Sequence, residues 1–359
     1  MKRNKLTRRR FIGTAATALA GTSAFGMNMI SSCSPNSPKK EMVAIVRMKD
    51  GNVEKAVQEA IELLGGIKQL TAGKNRIMIK PNLVAPDRQF TTNPEVVFSL
   101  ARIMKEAGIE VLIGEGSAAA ESFNFFGNEQ FITKKREILD GMQQHVFDVL
   151  GYTERAKALE LPLINLHTGE IVEIPLKGGL VAESIKLHKS LTEVDLVCSV
   201  PVMKTHVLAT VTLAMKNLIG LYPGTHYYAM RSWLHDRARE KGSQGVAYEI
   251  LDVNRAVPTG LSVIDATLAM EGNGPTAGTP VELGLIIAGT SPLATDMVGA
   301  SIMGFEVNEI PMFRLAHQLN MTPKSLSDID IRGLSIEQVK RPFVRPEIVE
   351  WSDFGYKEI

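Results

Sequence analysis

Apolar runs of strand length alternate along this chain with segments whose apolar residues recur at helical spacing. That alternation constrains the fold more than any other feature of the sequence. Residues 43–46 form a short apolar run. Val53, Ala56, Val57, Ala60, Ile61 and Leu64 then recur as one face of a helix that Gly65-Gly66 ends. A second run at 77–79 breaks at Lys80-Pro81-Asn82. Asn93-Pro94 marks a helix start, an N-cap followed by proline at the first helical position. That helix runs to Gly108 and feeds a strand at 110–113, giving a β–α–β unit that closes in Gly114-Glu115-Gly116. Residues 117–160 read as helix and loop, and 161–192 as short strands. Further apolar runs follow at 194–200, 261–264 and 283–288, with helix from about 293. The expected fold class is α/β, a mostly parallel sheet with helices on both faces in Rossmann-like layering.

Four of these runs end in polar or glycine-rich clusters: Lys80/Asn82, Glu115, Lys204/His206 and Asp265. In open parallel sheets ligands bind beyond the carboxyl ends of the strands, so the clusters are expected to share one crevice. Lys80, Lys204 and His206 are the candidate catalytic groups. Lysine and histidine beside the backbone N–H groups of a helix start suit phosphate or carboxylate binding, and a histidine there also serves as a base or metal ligand. Asn82, Thr205, Lys216, Asn217 and the loop residues Gly272, Asn273 and Gly274 are the candidate ligand contacts. Each has a plainer alternative: solvated lysines, a loop histidine, an asparagine fixing its own turn, glycines serving only as turns. Glu115, Asp265 and Glu271 are candidate metal ligands, because with His206 they offer the donors a divalent metal accepts. No close ligand pair such as HxxxE or HExxH accompanies them. Asp296 falls near a helix start, where an acid also serves as a cap or first-turn charge. The stretch Tyr222 to Tyr228 and the Trp233-Leu234-His235 run are rich in aromatics and histidines, and suit core packing or the mouth of a ligand site.

Several function classes are excluded. With 40 basic and 39 acidic residues the formal charge is +1, which leaves no basic footprint for nucleic acid. The chain has two cysteines, Cys33 and Cys198, too few for a four-cysteine cluster, so no iron–sulfur centre arises from its own cysteines. No GxGxxG, GxxxxGK[ST] or GxSxG pattern occurs, which argues against dinucleotide fingerprints, phosphate loops and a standard serine hydrolase.

The first residues read as a targeting segment. Lys2, Arg3, Lys5 and Arg8-Arg9-Arg10 precede a weakly apolar stretch from Phe11 to about Ala24, too short and small-sided for a stable span. Thr7-Arg8-Arg9-Arg10-Phe11-Ile12 looks like a twin-arginine motif, which makes the export machinery an expected partner. Ile30-Ser31-Ser32-Cys33 resembles a lipobox, so Cys33 is a candidate lipidation site and the membrane is reached only through that anchor. The expected organisation is a signal peptide at 1–33, a flexible tether at 34–42 and one α/β domain at 43–359. The location expected from it is the periplasm or the outer face of the membrane.

The strings KPNLV (80–84), TTNPEVV (91–97), GEG (114–116), VPVMKTH (200–206), AMKNLIG (214–220), MEGNGP (270–275) and ATDMVGASIMG (294–304) occur in that order. Through them the chain resembles domain-of-unknown-function family 362 over about residues 43–305. The resemblance implies an α/β domain with no settled biochemical role. Many members carry an added ferredoxin-like module and an iron–sulfur label; this chain departs there, lacking the cysteines. The expected function is an exported enzyme with a polar crevice that takes a small anionic ligand or a divalent metal. The alternative is a non-catalytic ligand- or cofactor-holding accessory protein serving an envelope redox partner.

Overall fold

The computed structural model describes residues 40–127, 129–241, 245–349 and 356–359. The twin-arginine motif, the lipobox cysteine and the tether before Lys40 lie outside the described residues. Among the described residues, ten strands form one sheet. They are β1 (Glu41–Arg47), β2 (Arg76–Pro81), β3 (Glu110–Glu115), β4 (Leu163–Asn165), β5 (Leu196–Val200), β6 (Val202–His206), β7 (Thr210–Thr212), β8 (Thr259–Asn273), β9 (Ala277–Gly289) and β10 (Ile329–Gly333). Their order is β10-β1-β9-β8-β5-β2-β3-β4, with β6 pairing β7 and β8. Most neighbours are parallel; β9 runs antiparallel to β1 and β8, and β7 antiparallel to β6.

The main helices are α1 (Val53–Leu63), α2 (Pro94–Glu106), α3 (Arg136–Val149), α4 (Tyr152–Ala158), α5 (Ala214–Asn217), α6 (Ser232–Glu240), α7 (Ala247–Ala256), α8 (Pro292–Ile302) and α9 (Pro311–Gln318). They cover both faces. Alternate residues of β1 point opposite ways, as the pleat requires. Ala44 and Val46 pack in the core that includes Val57 and Ile61 of α1 and Val97 and Leu100 of α2. Val43 and Ile45 pack in a second core with Ile250 and Val253 of α7 and Met297 and Val298 of α8. The cap expected at Asn93 is present, its side chain accepting from the Glu95 N–H ahead of Pro94, and Ser291 caps α8.

The structure corrects four local readings. Glu41 and Met42, expected in the tether, already belong to β1. Residues 201–206 are not a closing loop before a helix, because β6 runs straight on from Pro201; Lys204 and His206 therefore sit on a strand, away from any helix start. The run at 261–264 lies in the first half of a strand fifteen residues long that turns over into β9, so Asp265 lies mid-strand and not at a strand end. Asp296 is neither the cap nor a first-turn residue of α8. It is buried inside that helix and accepts the Ala214 and Met215 N–H groups at 2.6 and 2.8 Å, capping α5.

Candidate functional site

A cavity of about 410 Å³ opens at the carboxyl ends of β2, β3 and β6. Along the sheet β2 leads outward to β3 and β4, while β5 leads the other way to β8, so the strand order reverses between β2 and β5. Open α/β sheets bind ligands at such a reversal. The cavity wall includes Lys80, Asn82, Glu115, Lys204, His206, Lys216 and Asn217, together with Asn273 and Gly274 of the β8–β9 turn. These expected residues do converge.

At the base of the cavity lies a buried ion pair. Lys80 Nζ stands 2.7 Å from Glu115 Oε1, with side chains only 1% and 2% exposed. Glu115 is held from its other side by the N–H groups of Leu83 and Gly116, each donating at 2.8 Å. Lys80 also donates to Asn217 Oδ1 at 3.0 Å and to its neighbour Pro81 O at 2.7 Å. Asn217 returns two bonds, to Lys80 O and Ser199 Oγ, and takes one from Asn82 Nδ2 at 3.2 Å. Burial brings the Lys80 amine down to about 8, with Glu115 opposing. Gly220 leaves the pair its room. A Cβ there would stand 2.5 Å from Glu115 Oε1 and 2.6 Å from Lys80 Nζ.

Four cationic side chains line the cavity, Lys80, Lys204, Lys216 and Arg231, against the carboxylates of Glu115 and Glu347. Lys204 Nζ donates to Phe90 O at 2.8 Å, and burial, then Lys216, holds its amine well below the ordinary lysine range. The Arg231 guanidinium is clasped by backbone carbonyls, those of Gly116, Ser117, Ala229 and Gly220, while its Nε has no partner. Lys216 makes no hydrogen bond or ion pair with any described residue. Its amine is brought down to about 8 by burial, countered by Glu249 and aided by Arg231 and Lys80.

Two histidines line the cavity. The Leu208 N–H donates to His206 Nδ1 at 3.0 Å, which makes that nitrogen the acceptor and puts the neutral ring's proton on Nε2. Burial, then Lys216 and Lys204, keeps the ring well below its ordinary pKa. His206 is thus built as a donor and not as a base. His235 on α6 is hydrogen-bonded through Nδ1 to Glu249 Oε1 of α7, a fully buried carboxylate. A carboxylate fixing one imidazole nitrogen orients the other for proton transfer.

Other expected residues lie elsewhere. Thr205 Oγ1 donates to Gly272 O at 2.7 Å and ties β6 to the β8–β9 hairpin; neither residue lines the cavity. Asp265 accepts from the Asn93 N–H at 2.7 Å and from the Thr267 N–H and hydroxyl, anchoring the start of α2. Glu271 accepts the Val344 N–H at 3.0 Å and faces Arg341. Glu115, Asp265 and Glu271 therefore do not meet, because the last two carboxylates are engaged by backbone and tail. Among the described residues no group of three His, Cys, Asp or Glu side chains could hold a metal ion. Sequence reading missed Arg231 and Glu249. Arg231 follows the aromatic stretch at a left-handed backbone position with φ 59°, which no local motif announces. Glu249 is one of two acids, with Asp252, on an otherwise ordinary helix. The aromatic stretch itself divides: Tyr222, Tyr227 and Leu234 are core, while His235 faces the cavity.

Fold and site together define a layered α/β protein with a cation-rich crevice at the switch point of its sheet. The chain belongs to the family described as a domain of unknown function (DUF362), whose model matches residues 77–301. It is 26% identical over 312 residues to the thylakoid-associated protein sll1697 of Synechocystis sp., covering 86% of this chain and 88% of that one. Among solved structures it is similar to the lactate racemase apoprotein of Thermoanaerobacterium thermosaccharolyticum, with 12% identity and a TM-score of 0.43 over 73% of this chain. A Thermotoga maritima protein is similar at 13% identity and a TM-score of 0.37 over 75% of this chain. The chain spans little more than half of those two proteins, 56% and 59%.

Proposed function

We propose that this protein is an enzyme that binds a small organic anion in the cavity and moves protons on it with His235 and Glu249. The observation that carries the reading is the excess of cationic side chains over carboxylates around one cavity. Lys80 is matched by Glu115 and the terminal nitrogens of Arg231 are held by backbone carbonyls, so the unengaged Lys216 amine, with the positive charge of Arg231, attracts the anionic group. Guanidinium and ammonium groups bind carboxylates and phosphates through charge-assisted hydrogen bonds. Val84, Ala118, Val207 and Ile219 line the same space and suit the carbon skeleton of the ligand. The His206 Nε2–H and Asn82 add neutral polar contacts.

Calorimetric titration of the purified chain with inorganic phosphate and a panel of short carboxylates tests the binding step. Saturable binding that weakens tenfold or more in Lys216→Ala supports it; equal heats from both proteins refute it. Turnover of any bound carboxylate, lost in His235→Ala with binding retained, supports catalysis. The second reading is a non-catalytic holder of the same anion, and it draws on Lys80 being locked by Glu115 and His206 being fixed as a donor. Under it, His235→Ala changes neither binding nor any product.

We further propose export by the twin-arginine route and anchoring through a lipid on Cys33. The motif at Arg8-Arg9 supports this, as does similarity to a protein named as thylakoid-associated. Cell fractionation of an Arg8→Lys/Arg9→Lys variant checks it: the expected outcome is retention in the cytoplasm, and unchanged export refutes the route.

A further inference from the structure

Among the described side chains of the cavity wall, Lys216 is the cation with no partner. Lys80 is bound to Glu115, Lys204 to the Phe90 carbonyl, and Arg231 to four backbone carbonyls. The backbone that carries Lys216 is nonetheless held firmly. Asp296 takes the N–H groups of Ala214 and Met215, and Asn254 Nδ2 donates to Met215 O at 3.0 Å. Asn217, next along the chain, is locked into the Lys80 network. An unengaged amine on a fixed support, facing a cavity that attracts anions, is the arrangement of a nucleophile and not of a structural charge.

We propose that Lys216 forms an imine with a small carbonyl compound that carries an anionic group, either a carboxylate or a phosphate. The proposal rests on the anion-binding reading of the cavity and names the substrate class. The charge of Arg231 and its unpartnered Nε–H attract the anionic end, and the carbonyl carbon comes to the Lys216 amine. The nitrogen lone pair forms the C–N bond and the carbonyl π pair moves to oxygen. Nitrogen then gives up its two protons, the oxygen gains two, and water leaves as C=N forms, so no oxidant or reductant enters. His235, backed by Glu249, lines the same cavity and relays these protons. Burial, aided by Arg231 and Lys80 against Glu249, favours the neutral amine that attack requires, since the Lys216 amine stands at about 8.

The test is reductive trapping. The full chain is incubated with pyruvate in one arm and dihydroxyacetone phosphate in the other, each with cyanoborohydride, and lysine adducts are mapped by peptide mass spectrometry. One adduct per chain on the peptide bearing Lys216, formed at least tenfold faster than on surface lysines and suppressed by excess phosphate, supports the proposal. Trapping with only one probe supports it and assigns the anionic group. Lys216→Arg keeps the charge but cannot form the imine, so it should bind phosphate within a few-fold of wild type and lose the adduct. Labelling of wild-type Lys216 no faster than surface lysines with both probes overturns the imine. If phosphate still binds in that case, the anion reading survives; if phosphate also fails to bind, both fall.

Discussion

Lys80 and Glu115 are almost wholly withdrawn from solvent, so each charge depends on the other and on the N–H groups that Leu83 and Gly116 supply. Removing one partner of a buried pair leaves the other charge uncompensated, which costs about 3–5 kcal/mol. Glu115→Ala is therefore expected to lower unfolding stability by that order in urea titration; a loss below about 1 kcal/mol would show that water already reaches Lys80. Lys216 gives a pH prediction with two opposite signs. Its amine is at about 8 in the folded chain and has an ordinary value of 10.5. Below about 8 both folded and unfolded chains hold the proton, and the folded state bears the full burial penalty. Between about 8 and 10.5 the unfolded chain holds more protons, so this residue makes stability rise with pH across that window. Anion affinity runs the other way, highest below about 8 and falling as the ammonium loses its proton. Phosphate titrations at pH 7 and pH 9 check this in wild type against Lys216→Arg, which should show a flatter profile.

Short α5 depends on a neighbour for its shape. Four residues cannot sustain a helix by themselves, since nucleation is unfavourable and orphan N–H groups need acceptors. Asp296 supplies them from the interior of α8, and burial pushes its carboxyl up to about 8 against those two backbone bonds. Asp296→Ala leaves two buried N–H groups without acceptors and is expected to cost about 2–4 kcal/mol. Because α5 carries Lys216 and Asn217, phosphate binding should weaken as well, and thermal melts with and without phosphate would show both losses together. This element also marks what the sequence could disclose. Caps and periodicity sufficed for α1, α2 and the start of α8, because those signals are local. Asp296 looked like a local cap because its true acceptor role is for residues more than eighty positions earlier, a contact no spacing rule reaches. The length of β8 was hidden likewise. Its distal half pairs with β9 in a hairpin reaching past the sheet, and Glu271 and Asn273 accept bonds from the tail.

Across the whole molecule, the convergence of Lys80, Glu115, Lys204 and His206 was legible because parallel α/β topology sends strand carboxyl ends to one edge. Asp265 failed the same rule only because its strand continues past it. Arg231 and Glu249 were not legible, since Arg231 just before α6 and Glu249 on α7 reach the crevice and its His235 through tertiary packing alone; His235 was legible only within a run that suited core packing or a ligand mouth. The resulting excess of positive charge is a property of the assembled cavity; the chain as a whole carries a formal charge of only +1. Net charge therefore cannot account for anion binding, and the prediction must separate a site from general screening. A ligand that binds only the folded chain stabilises it by about 2.7 kcal/mol at a hundred times its Kd. Phosphate at that excess should raise Tm, while sodium chloride at matched ionic strength should leave it nearly unchanged. The increment should shrink when Arg231→Ala or Lys216→Ala removes a cavity cation and persist when a surface cation such as Lys189 is changed, because that lysine is exposed and paired with Glu170. An equal rise with chloride, or an undiminished rise in both cavity variants, would place the effect on the surface and remove the cavity from the argument.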